Sequence, residues 1–156
     1  MRASVLGWVV LIASLTIAGE SMAAKRVLAS EVEGRLVADA EGTPVSGATV
    51  VRRWKWAWTG AEGEDRTTTD ADGRFRFPEV TGRSLTAGIV PHEPSVDQDF
   101  TVELGSDRPP LLILGLQKSN YDPDGETQGR PMRLRCRTDL EPDARGFYWG
   151  TCELLD

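Results

Sequence analysis

The chain has 156 residues, 18 Lys and Arg against 24 Asp and Glu, and a formal net charge of −6 with a pI near 4.9. Hydrophobic residues at 40% and charged residues at 27% are ordinary globular composition, which excludes disorder and collagen-like repeats. The acidic balance excludes a general nucleic-acid binder and a peripheral binder of anionic membrane, and a single His excludes any site that needs two imidazoles.

The N-terminal segment reads as a secretory signal peptide. Arg2 is the positive n-region, Val5–Ala18 is an uncharged apolar run, and Ser21-Met22-Ala23 is a small-x-small cleavage site, so residues 1–23 are expected to be removed. The run is shorter than the roughly 20 residues a spanning helix needs, so no membrane insertion is expected after cleavage. Localisation is therefore expected to be periplasmic or secreted. In such a compartment the only two cysteines, Cys136 and Cys152, are expected to form a disulfide. Its loop of about 16 residues would contribute about 3 kcal/mol.

The rest of the chain reads as strands and turns. Val32–Ala38 alternates and ends in the turn cluster Asp39–Gly42. Ala48–Trp58 is a long β-rich run, and Gly60–Asp65 is an acidic loop. Arg66–Thr69 and Arg74–Phe77 flank the turn Asp70-Ala-Asp-Gly73, with Thr69 and Arg74 expected to start adjacent antiparallel strands. Phe75 and Phe77 lie two apart and face the core, and Arg74 and Arg76 face out. Ser84–Val90, Asp99–Leu104 and Leu111–Leu116 are further strands, punctuated by Pro91, Pro94, Pro109 and Pro110. Asn120–Pro131 reads as a polar surface loop. Arg133–Arg137 and Phe147–Leu154 are a final strand pair pinned by the disulfide. No helical periodicity is sustained, so the expected class is an all-β sandwich.

The motif Gly34-Arg-Leu-Val, Gly42-Thr-Pro-Val-Ser-Gly-Ala-Thr-Val50 and Thr67-Thr-Thr-Asp-Ala-Asp-Gly-Arg-Phe-Arg-Phe77 resembles the carboxypeptidase regulatory-like (transthyretin-like, prealbumin-like) family. The resemblance covers Gly34 to Phe77. It implies a Greek-key sandwich of about seven strands over residues 31–117. Residues 118–156 are then a disulfide-stapled extension packed on the same domain. The Trp54-Lys-Trp-Ala-Trp58 run with the later Cys pair resembles a subgroup of exported bacterial proteins of uncharacterised function.

Arg52, Trp54, Trp56 and Trp58 share one face of the predicted strand. They form either a core seam or an exposed stripe, which would bind a protein partner or stack on envelope glycan. Glu62, Glu64, Asp65, Asp70 and Asp72 form either an acidic rim or a solvated turn. No metal is expected, since Asp70-Ala-Asp-Gly73 lacks the later carboxylate of a calcium loop. No cofactor is expected either. Enzyme readings lack their residues. The hydroxyisourate hydrolases among the family's relatives need several His and a C-terminal Tyr-Arg-Gly-Ser, whereas this chain ends Cys-Glu-Leu-Leu-Asp. Intradiol dioxygenases need two His. A hydrolase would have to use His92, between Pro91 and Pro94. The expectation is an exported non-catalytic binding module for an envelope protein partner, as adaptor or toxin-immunity protein. The alternatives are a glycan binder and an unrecognised hydrolase.

Overall fold

A computed structural model describes residues 23–156. The expected signal peptide falls, but for Ala23, outside the described residues. Twelve strands run through those residues: β1 (Ala24–Ala29), β2 (Val32–Val37), β3 (Thr49–Trp56), β4 (Glu62–Thr68), β5 (Arg74–Phe77), β6 (Val80–Ser84), β7 (Val96–Glu103), β8 (Leu111–Lys118), β9 (Met132–Arg137), β10 (Asp143–Arg145), β11 (Tyr148–Gly150) and β12 (Cys152–Leu154).

Alternation decides which face each strand buries. β5 alternates exposed Arg with buried Phe, and β9 buries Met132, Leu134 and Cys136 while turning its arginines out. A six-stranded antiparallel sheet has the order β10-β11-β8-β7-β3-β4. A four-stranded sheet has the order β12-β9-β2-β5, with β2 and β9 parallel. Their inner faces share one core, in which Val32, Leu36, Phe75, Phe77, Met132 and Leu134 meet Val50, Phe100, Val102, Leu114 and Leu116. The fold is an all-β sandwich. Strands β1 and β6 pair separately and cover one end of the six-stranded sheet. A second core of Leu28, Trp56, Ala87 and Val96 forms there.

Close packing requires two of the glycines. Gly34 lies opposite Phe75, whose ring crosses it, and a Cβ there would sit 2.1 Å from Phe75 Cζ. Gly73 has φ +75°, and a Cβ there would sit 2.4 Å from the Leu36 carbonyl oxygen. The Asp70 carboxylate holds this turn by accepting from the N–H groups of Asp72 (2.9 Å) and Arg74 (2.8 Å).

Several local expectations are corrected. The Asp70–Gly73 turn is not a hairpin: β4 belongs to the six-stranded sheet and β5 pairs with β2. The two phenylalanines of β5 fill the core from the opposite layer, so the chain changes sheets at this turn. The acidic segment Gly60–Asp65 is mostly strand, because Glu62 and Glu64 stand opposite Lys55 and Arg53 and extend the ladder. Of the expected strand Ser84–Val90 only Ser84 is strand, as the last residue of β6. Thr86–Gly88 is a 3₁₀ turn, with the Thr86 carbonyl accepting from Ile89 and Val90. Asn120–Pro131 is not only surface, since Glu126 and Thr127 are buried. Phe147–Leu154 splits into β11 and β12, one in each main sheet. Strands β1, β10 and, but for Ser84, β6 have no counterpart among the expected strands.

Candidate functional site

The disulfide links Cys136 and Cys152, which are directly opposed on β9 and β12. It fastens β12 to β9 at the edge of the four-stranded sheet.

Between the two apolar cores runs a belt of buried polar side chains. Arg52 on β3 is fully buried. Its Nε and Nη2 donate to Asp65 at 3.0 and 2.6 Å, its Nη1 to the Ser30 carbonyl at 3.1 Å, and its Nη2 also to the Pro78 carbonyl at 2.7 Å. The guanidinium lies 5.0 Å from the Phe77 ring centroid. Lys118 and Glu126, both fully buried at the side chain, pair at 2.7 Å. Glu126 also accepts from the Ser30 N–H (2.9 Å), the Ser30 hydroxyl (2.6 Å) and the Gln98 amide (2.8 Å). Burial alone would raise the Glu126 pKa, but the bonds from Lys118, Ser30 and Gln98 outweigh it and hold the carboxyl below its usual value. Asp124 beside it is pushed up, by burial and then by the Glu126 charge. Ser30 sits where the chain passes from β1 to β2, so the belt ties all three sheets together.

Trp56 is buried against Leu28 and Gly82 at the base of the second core. Its indole N–H donates to the Tyr121 hydroxyl at 2.8 Å, and that hydroxyl lies 2.7 Å from His92 Nε2. His92 Nδ1 lies 2.9 Å from the Val90 carbonyl, which can only accept. One arrangement satisfies every group: Nδ1–H donates to Val90, and the Tyr121 O–H donates to Nε2. Trp58 stacks on His92 with centroids 4.0 Å apart and donates its indole N–H to the Thr86 hydroxyl at 3.1 Å. Arg26 lies over the Tyr121 ring and donates to the Ala87 carbonyl at 3.2 Å.

These bonds fasten the segment Ser84–His92 to the end of the sandwich. From it Leu85 projects at 65% exposure, Ile89 at 80% and Val90 at 42%. The stripe predicted on Arg52, Trp54, Trp56 and Trp58 is thus divided by depth. Arg52 and Trp56 are interior and reach no surface partner, Trp54 lies half-buried across Gly63, and Trp58 is half-buried at the rim of the exposed apolar tip. The tip residues Leu85, Ile89 and Val90 lie in the segment whose apolar pattern predicts a strand. The available signal was Gly88 and the prolines Pro91 and Pro94 that follow it, masked by the apolar residues around Gly88.

The predicted acidic rim is also divided. Asp65 pairs with Arg52, Glu64 with Arg53 and Arg66 at 2.8 and 2.7 Å, and Asp70 closes its turn. No cluster of three or more His, Cys, Asp or Glu placed to hold a metal occurs among the described residues.

Fold and site together define a disulfide-linked β-sandwich with a fastened apolar tip. The chain belongs to the family described as "Domain of unknown function (DUF6795)", whose model matches residues 32–141. No curated protein and no solved structure matches it.

Proposed function

We propose that the protein is an exported, non-catalytic binding module that contacts a protein partner in the cell envelope through its Trp58 end. The observation that carries the reading is the tip: three large aliphatic side chains, Leu85, Ile89 and Val90, stand in solvent on a segment held by the Trp58–His92 stack. A pre-ordered apolar patch beside a Trp is the composition of an interface core. Its rigidity lowers the entropy lost on binding. Burial of Arg52 and Trp56 favours a protein over a glycan, because no three-indole platform is left for a row of sugar rings. The disulfide supports an oxidising compartment. Both nitrogens of His92 are engaged by Val90 and Tyr121, and the Ser30 hydroxyl is buried against Glu126, which supports a non-catalytic role. The likeness of Gly34–Phe77 to carboxypeptidase regulatory-like domains belongs to this reading, as does an adaptor or toxin-immunity role.

The test is affinity capture from envelope extracts of the native host with wild type, Ile89→Asp and, as control, Trp149→Ala. The reading expects a stoichiometric protein that Ile89→Asp loses and the control retains, all three melting alike. A partner retained by Ile89→Asp, or no partner at all, overturns it.

A further inference from the structure

The outer face of the four-stranded sheet is a lattice of arginines. On its central strand β2, Arg35 stands opposite Arg74 of β5 and Arg135 of β9, and Glu33 stands opposite Arg76 and Arg133. Arg137 follows on β9. Six of the chain's 18 basic residues thus share one face with only Glu33 and Glu153, although the whole chain carries −6. Arg76 is engaged by Glu31, Arg135 by Glu153 at 3.8 Å and Arg137 by Asp139 at 2.6 Å. Arg35, Arg74 and Arg133 make no ion pair among the described residues, and Arg35 reaches only the Asp72 carbonyl at 3.0 Å. These three and Arg76, together with Glu33 and Asp70, border a basin of about 520 Å³ that extends over the β5 edge to Thr67 and Thr68, so four guanidiniums face two carboxylates there.

The other large sheet supplies the contrast. On its outer face Arg53 stands between Glu64 and Asp99, and Lys55 between Glu62 and Asp97. Signs alternate there on neighbouring strands, the arrangement that cross-strand pairing favours. Like charges directly opposed cost stability. The arginine row Arg74–Arg35–Arg135 accepts that cost, and an anionic ligand would repay it through forked, charge-assisted hydrogen bonds.

We propose that this face binds an extended acidic peptide segment of a partner protein, with carboxylates at alternate positions. Arginines two apart on β5 and β9 project about 6.7 Å apart, the spacing of alternate side chains on an extended chain. The acidic remainder of the molecule disfavours a long polyanion or an anionic membrane, which would extend past this patch. The inference does not depend on the tip, and different variants test it.

The probe is a fluorescent, blocked peptide Glu-Thr-Glu-Thr-Glu-Thr-Glu, titrated by anisotropy at low ionic strength. Binding is expected to weaken about tenfold in Arg35→Ala/Arg133→Ala, while the melting temperature holds or rises because repulsion is relieved. Ile89→Asp is expected to leave it unchanged. No binding, or binding insensitive to the arginine variants, overturns the proposal. So does equal or tighter binding of a peptide with its four Glu contiguous, of pyrophosphate, or of a single-stranded oligonucleotide. A concentration-dependent dimer that Arg35→Ala dissolves would overturn it as well, by giving the face to a second copy.

Discussion

Glu126 is the residue on which the largest local energies converge. It neutralises Lys118 and receives four hydrogen bonds in a site closed to water. Glu126→Gln keeps the shape but leaves Lys118 as a buried, uncompensated cation. We expect it to cost about 3–5 kcal/mol in urea unfolding, more than Lys118→Met/Glu126→Leu, which removes both charges. The same carboxyl sets an acid limit. Its folded pKa is depressed, so its stabilisation is complete above the unfolded value of about 4.3 and is lost as pH falls below that through the lower folded value. Asp124, shifted upward, opposes this in part. Urea midpoints measured between pH 7 and pH 3 are expected to fall steeply at the acid end, and less steeply in Glu126→Gln. At Gly73 the cost is steric. Gly73→Ala places a methyl against the Leu36 carbonyl in a left-handed turn and is expected to destabilise by about 1–3 kcal/mol. The turn chemistry of Asp70 and Gly73 was legible in the sequence, because it depends on neighbours within four residues. The convergence on Glu126 was not: Ser30 lies 96 residues away, and nothing local in Asn120–Pro131 marks a buried carboxylate.

Among the elements, β2 and β5 were visible as alternation and β3, β7, β8 and β9 as β-rich or apolar runs between turn signals, and all six fall within or near their expected spans. What alternation does not carry is partnership. The Arg133–Arg137 strand lies parallel to β2, at a sequence distance no pattern records, and that pairing builds the arginine face. Strands β4 and β5 looked like a hairpin because the turn between them is tight, yet core filling assigns them to opposite layers. Ser84–Val90 looked like a strand because it is apolar, but its aliphatic residues point to solvent. The β9–β12 pair is the element most dependent on covalent chemistry. β12 has three residues and pairs on one side only, with β9, so the covalent link carries a large share of its attachment. Reducing the Cys136–Cys152 bond, or Cys136→Ser, is expected to cost about 3 kcal/mol and to lower Tm by about 10 °C. Differential scanning calorimetry with and without reductant checks this, and equal melting temperatures would contradict it.

For the whole molecule, burial divides structure from contact. The two main sheets, the disulfide and the polar belt make a stiff body, and Arg52 and Trp56 are part of it. The surface carries the aliphatic tip beside Trp58, further exposed apolar side chains at Phe147, Trp149 and Leu155, and the arginine face of the four-stranded sheet. The tip lies at the Val96 end of β7, and the Leu104–Pro110 loop lies at the other. That separation permits a direct measurement. A photoreactive amino acid would be placed at Ile89 in one variant and at Asp107 in another, both expressed in the native host and irradiated in intact cells. The account predicts one discrete cross-linked protein from position 89 and none from position 107. Absence of a discrete product at 89, or the same product from both positions, would contradict it.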